Sequence, residues 1–203
     1  MTSTATRIRR TLAAGSVTLL GASALWLGAT GPAAAATATC HGARATIVGT
    51  SGSDEIEGTS GRDVIVGLGG SDEIDGNGGD DIICGGAGDD EIDGGGGDDW
   101  ISGGAGHDEI DGESGRDTLA GSTGKDVLEG GSGADRLDGG TNDDHLEGGS
   151  GDDRLYGRSG HDLLEGGSGR DQLSGGKHSD VVRQGSASER VEDRWEDRYG
   201  DDD

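Results

Sequence analysis

From Val48 to Val182 the chain is written in a nine-residue frame that never slips. It opens VGTSGSDEI, EGTSGRDVI, VGLGGSDEI, DGNGGDDII, CGGAGDDEI and runs through fifteen consecutive copies without insertion or deletion. The second residue of every copy is Gly and the seventh is Asp. The ninth is Ile in seven copies, Leu in the next seven, and Val182 in the last. The fifth is Gly in all but two, where Asn142 and His178 stand. So short a unit has no core of its own and buries its apolar residue only against its neighbours, which is the rule of a solenoid.

Composition alone points elsewhere. With 46 Gly, one Pro, no Phe, 2% aromatics and 29% apolar residues, the 203-residue chain cannot build a core of large side chains. High charge with low hydrophobicity is the signature of disorder. One Pro and no Gly-X-Y period exclude collagen. The frame decides the matter: 39 of the 46 Gly lie inside it, with fifteen in-phase Asp. With 41 acids against 16 bases, the net charge of −25 excludes binding to nucleic acid through phosphate contacts and points to cations.

Spacing gives the chemistry. Gly at the second, third and fifth positions makes a tight turn with exposed carbonyls, and the Asp adds a hard anionic oxygen. Carbonyl and carboxylate oxygens together suit Ca²⁺; Zn²⁺ would want His or Cys. An x-aliphatic-x strand follows each Asp, its middle side chain facing one way and its flanks the other. Two turns and two strands make an 18-residue coil, and stacked coils make two short parallel sheets around a thin aliphatic core. EF-hand loops are excluded. The look-alike starts at Ser71 and Asp89 reach Ile82 and Trp100 where a bidentate Glu is required.

GGAGDDEID (85–93), GGGGDDWIS (94–102) and GGAGHDEID (103–111) resemble the GGxGxDxUx repeat of the RTX, or haemolysin-type, calcium-binding proteins. The resemblance covers 135 of 203 residues. It implies an all-β fold, a parallel β-roll (a two-sheet right-handed solenoid), with Ca²⁺ held between turns two nonamers apart by turn Asp and Gly-rich carbonyls. The residues it assigns are Asp54, Asp63, Asp72, Asp81, Asp90, Asp99, Asp108, Asp117, Asp126, Asp135, Asp144, Asp153, Asp162, Asp171 and Asp180, with Gly85, Gly94, Gly103, Gly130, Gly148 and Gly166. Six copies match GGxGxD in full, those of Asp90, Asp99, Asp108, Asp135, Asp153 and Asp171. Thr50, Thr59, Leu68 and Asn77 replace the third Gly in the first four copies, which puts their sites in question, and His178 weakens the last. Turns alternate between two sides, so the inter-turn gaps set an upper bound of about 13 bridging ions. Those ions would bring about +26.

Odd and even copies differ. Odd strands stack acid on acid: Glu55-Ile56-Glu57, Glu73-Ile74-Asp75, Glu91-Ile92-Asp93, Glu109-Ile110-Asp111. Such a face is either a solvated surface that keeps the roll soluble or a weak cation- or mineral-facing one. Even strands present Val64, Val66, Ile82 and Trp100 outward, a patch that needs a cover or a partner. The only cysteines are Cys40 and Cys84, and outside the cytosol one disulfide is their simplest state. That bridge would fold residues 37–45 over the patch as an N-terminal cap, with Thr46-Ile47-Val48 beginning the even sheet.

Residues 1–36 read as a secretory signal peptide: Arg7, Arg9 and Arg10, then the apolar Leu12–Leu27, then Ala34 and Ala36 at a small-residue cleavage site. A retained anchor is the alternative, although the run is short for a stable membrane span. Cleavage after Ala36 takes the formal charge from −25 to −28. The expected layout is a leader at 1–36, a cap with first strand at 37–47, the roll at 48–182 and a charged cap or tail at 183–203. Val191, Trp195 and Tyr199, with Ser188 as N-cap, suggest a short helix over the last coil or a docking tail. Fourteen Arg against two Lys suits a high-GC bacterium, and the repeats resemble those of secreted actinobacterial proteins.

The expected function is a secreted, monomeric, non-enzymatic calcium-binding roll that folds on binding the ion. No H-E-x-x-H or G-x-S-x-G occurs. A calcium-stabilised surface adhesin, or a glycan- or ice-binding solenoid, is the other class. It calls for a regular outward rank of Thr or aromatics, which Trp100, Thr118 and Tyr156 do not form. Any further surface or protein partner is left open.

Overall fold

A computed structural model describes residues 8–10, 38–183, 185 and 190–191. Each copy contributes one strand, and strands 18 residues apart pair in parallel, Ile on Ile and Leu on Leu. Successive strands therefore alternate between two sheets, a β-solenoid of about eight turns. Odd copies give Asp54–Glu57, Glu73–Asp75, Glu91–Asp93, Glu109–Asp111, Val127–Glu129, His145–Glu147, Leu163–Glu165 and Val181–Arg183. The even sheet begins at Ile47–Val48 and Val64–Val66, and continues through the longer strands Ile82–Ala87, Trp100–Ala105, Thr118–Thr123, Arg136–Thr141, Arg154–Ser159 and Gln172–Lys177.

Between the sheets runs a column one side chain thick. Ile47, Ile56, Ile65, Ile74, Ile83, Ile92, Ile101 and Ile110 give way to Leu119, Leu128, Leu137, Leu146, Leu155, Leu164 and Leu173. All are buried, and Val182 closes the column partly exposed. No helix occurs among the described residues.

The N-terminal end carries a second core. Thr39–Cys40 and Ala43–Arg44 form an antiparallel hairpin around His41 and Gly42, both at positive φ. A Cys40–Cys84 disulfide ties the hairpin to the even sheet. Cys40, Val64, Val66 and Ile82 are buried together, with Ala38, Ala43, Ala45, Cys84 and Trp100 packed against them. The His41 ring lies 4.2 Å from that of Trp100. The outward apolar patch of the even strands thus lies beneath residues 38–45.

Both chain ends touch the sheets. Ile8–Arg10 pairs antiparallel with Asp54–Glu57, and Arg190–Val191 pairs in parallel with Gln172 and Leu173. The rest of the expected leader, and the rest of the expected helix from Ser188 to Tyr199, lie outside the described residues. At Arg190–Val191 the chain is strand.

Candidate metal centre

Every turn Asp from Asp54 to Asp171 is buried, at 6% exposure or less, and Asp180 is half-buried. Two buried, in-register rows of carboxylates follow, one along each side of the solenoid. Their geometry repeats at each step of 18 residues: the backbone N–H of one Asp donates to Oδ1 of the Asp in the next coil. Thirteen such bonds, 2.6–3.0 Å long, join Asp54 to Asp72, Asp63 to Asp81, and so on to Asp162 with Asp180. The inter-turn gaps counted from the frame are the gaps these bonds span.

Oδ1 is satisfied; Oδ2 is not. In twelve consecutive members, Asp72 through Asp171, Oδ2 is buried without a hydrogen-bond partner. A buried carboxylate oxygen left bare is costly and calls for a cation or a proton. The surroundings favour a cation of the hard, oxygen-seeking kind. A Cβ placed on Gly85 would lie 2.5 Å from Asp90 Oδ2 and 2.8 Å from the Gly103 carbonyl oxygen. On Gly130 it would meet the Gly148 carbonyl at 2.7 Å and Asp135 Oδ2 at 2.9 Å, and on Gly148 the Gly166 carbonyl at 2.6 Å. On Gly94 it would come within 2.9 Å of Asp99 Oδ2, and Gly103 backs Asp108 in the same way. The second-position Gly keeps open a small space faced by a carboxylate oxygen and by a carbonyl of the next coil.

Among the described residues no three His, Cys, Asp or Glu side chains converge. A cation in these turns must therefore draw on backbone carbonyls as well as Asp, a donor set that fits Ca²⁺ and not Zn²⁺.

Electrostatics agree. Burial pushes the carboxyls of Asp81, Asp108, Asp117, Asp144 and Asp153 up to about 7 and that of Asp90 up to about 6. The N–H bond from the preceding coil opposes the shift, and neighbouring carboxylates add to it. Asp72, Asp99, Asp126, Asp135 and Asp162 move upward for the same leading reason. The row holds more negative charge than its own donors satisfy.

Seven copies lack the third Gly, and in five of them, those of Leu68, Asn77, Glu113, Ser122 and Arg158, the substitute is left-handed; the first four divide into two pairs. Leu68 (φ 81°) and Asn77 (φ 68°) adopt the left-handed backbone of a Gly, and Asp72 and Asp81 keep their bare Oδ2. Thr50 and Thr59 take no positive φ. Each instead turns both its N–H and its hydroxyl onto Oδ2 of its own Asp. The bonds to Asp54 are 2.5 and 2.8 Å long, and those to Asp63 are 2.7 and 2.8 Å. Thr46 Oγ1 lies 3.2 Å from Asp63 Oδ1. These three Thr roles were missed in the sequence; for Thr50 and Thr59 the visible signal was a β-branched hydroxyl residue four before the Asp, since Ser122 in the same position is left-handed (φ 83°) and leaves Asp126 Oδ2 bare. At the far end His178 is left-handed (φ 79°), and Asp180 still accepts the N–H of Asp162.

The outward acids form a separate column. Glu57, Asp75, Asp93, Asp111, Glu129, Glu147 and Glu165 stand in register down the odd sheet, ended by Arg183 paired with Glu165. Partial burial and then the neighbouring acids raise the carboxyls of Asp93 and Glu129. Unlike the turn Asp, this column leaves no buried oxygen without a partner among the described residues.

The chain matches the family described as RTX calcium-binding nonapeptide repeat (4 copies) in overlapping stretches at residues 48–83, 85–119, 111–146, 120–155, 138–173 and 156–183. No curated protein matches it. Among the described residues no helix is long and apolar enough to cross a membrane.

Proposed function

The chain belongs to the RTX calcium-binding repeat family, and from that premise we propose that it is an exported, non-enzymatic calcium-binding roll whose folding the ion completes. The observation that carries this reading is the row of twelve buried Oδ2 atoms without donors. Bound there, Ca²⁺ supplies divalent charge and roughly six to eight coordination positions for oxygen. The chain's own residues do the rest. Asp carboxylates and second-position Gly carbonyls face the same space, and third-position residues hold the left-handed turn that brings them there. With only its own donors, the row sets like charges side by side in a thin roll whose Gly-rich turns have high chain entropy. Binding free energy then becomes folding free energy.

Export is supported by the leader pattern of residues 1–36 and by the disulfide, which suits an oxidising compartment. The lack of familiar hydrolase motifs supports a non-catalytic role. Calorimetric titration of the EGTA-stripped chain with Ca²⁺ and with Mg²⁺ tests the binding. Several Ca²⁺ per chain, up to about 13, with far weaker Mg²⁺ binding is the expected result. One ion or none would refute it.

A further inference from the structure

The Thr residues of the first coils do something the Gly copies do not. Thr59 Oγ1 sits 2.8 Å from Asp63 Oδ2 and 3.0 Å from the Gly61 carbonyl, and accepts the Gly61 N–H at 3.3 Å. Thr50 repeats the arrangement with Asp54 and Gly52. The hydroxyl thus stands between a carboxylate oxygen and a turn carbonyl, the two kinds of atom that face the open space in later coils. Asp54 and Asp63 are as buried as their successors, at 4% and 6%, yet neither has a bare buried oxygen. Charge-assisted bonds from an N–H and a hydroxyl satisfy a carboxylate without a metal.

The N-terminal end carries two further metal-independent supports, a disulfide and a second apolar cluster, where later coils have exposed ion pairs such as Arg116–Asp98 and Lys125–Asp143. The disulfide lands here, and the second apolar cluster packs Val64, Val66 and Ile82 under the hairpin. Thr46 reaches Asp63 Oδ1, where the even row has no earlier Asp to donate an N–H. Sequence and hydrogen bonding change together between the second and third copies, while the disulfide and the second apolar cluster reach on to Cys84 and Trp100 in the fifth and sixth.

We infer that the hydroxyls of Thr50 and Thr59 replace Ca²⁺ in the first two turns, so that the N-terminal coils close without calcium and seed the ion-dependent coils that follow. This rests on calcium binding in the later turns. Folding then has a direction: the seed offers the finished edges Asp54–Glu57 and Val64–Val66, and each added coil completes its turn with an ion. A solenoid propagates by nearest-neighbour contacts, so a pre-formed end removes the costliest step.

The test combines hydrogen exchange read by mass spectrometry with calorimetric stoichiometry on the disulfide-bonded full chain. In EGTA, amides of residues 47–66 should stay protected while those of 85–182 exchange freely. Thr50→Gly/Thr59→Gly should lose about ten- to hundredfold of that protection, because two buried carboxylate oxygens lose their hydroxyl partners. In calcium it should fold fully and bind up to about two more ions than the parent. Thr50→Val/Thr59→Val, which keeps the β-branched shape and removes only the hydroxyls, should lose protection in the same way. Unchanged stoichiometry in the Gly variant, or free exchange at 47–66 in a parent chain that still binds calcium, would overturn the inference alone. A parent chain that binds no calcium would overturn the underlying reading and the inference with it.

Discussion

The coils before and after Leu68 share a frame, a core column and a carboxylate ladder, and differ in how the second oxygen of each turn Asp is satisfied. At Asp54 and Asp63 a Thr supplies an N–H and a hydroxyl. From Asp72 to Asp171 none of the described residues does. The first region is also clamped by a disulfide and by a second apolar cluster, both reaching past it to Cys84 and Trp100, whereas the coils beyond Trp100 pack on the single column between their sheets. One repeat therefore serves two regimes. On the proposed reading, the fold is self-sufficient where side chains supply donors and packing, and depends on the ion where Gly leaves a space.

The largest effect that would sharpen this contrast is loss of the disulfide. The bridge joins residues 44 apart, its loop enclosing the first regime together with the Asp72 and Asp81 turns, and closing a loop of that length stabilises by about 4 kcal/mol. Cys40→Ser/Cys84→Ser should lower the denaturation midpoint of the N-terminal region, followed by Trp100 fluorescence, while calcium stoichiometry is unchanged. Loss of several ions instead would show that the two regions are not separable.

Asp117→Asn acts in the second regime. The amide oxygen still accepts the Asp99 N–H in place of Oδ1, but the charge is gone. Calcium stoichiometry should fall by about one or two ions, while stability in EGTA at pH 8 rises by on the order of 1 kcal/mol. Equal ion counts would contradict the role given to that carboxylate.

Protons should mimic the substitution more weakly. The folded carboxyls of Asp81, Asp108, Asp117, Asp144 and Asp153 titrate at about 7 and that of Asp90 at about 6, against roughly 4 in an unfolded chain. A raised folded pKa means that proton uptake favours the folded form. Its contribution is complete below about pH 4 and is lost as pH rises through 6 to 7. The EGTA-treated chain should gain β signal on acidification from pH 8 to 5, and calcium affinity should fall over the same interval. Circular dichroism in EGTA that declines monotonically towards pH 5 would contradict the bare-carboxylate geometry.

Much of this was legible in the sequence. The strict second, seventh and ninth positions give the turn, the Asp row and the Ile-then-Leu column, because each is a local consequence of an 18-residue coil. Val64, Val66 and Ile82 announced a cover, and the cysteines announced where it is tied. The split among the substituted copies was not legible. Thr50, Thr59, Leu68 and Asn77 all break the same Gly rule, and nothing in the frame says that Leu and Asn accept a left-handed backbone while Thr takes another. The reason lies in branching and in the hydroxyl: a β-branched residue resists positive φ, and its oxygen can reach an Asp four residues on. The division of the acids came through half-read. Both sets were visible as ladders, but only burial shows that one of them leaves oxygens without donors.

The most direct measurement is far-ultraviolet circular dichroism of the purified disulfide-bonded chain in EGTA at pH 8, followed by excess Ca²⁺. Calcium-conditioned folding requires a mostly unordered spectrum with a small β contribution from the N-terminal coils, converted to a full β spectrum by Ca²⁺ and reversed by chelator. A full β spectrum in EGTA that calcium leaves unchanged would contradict it.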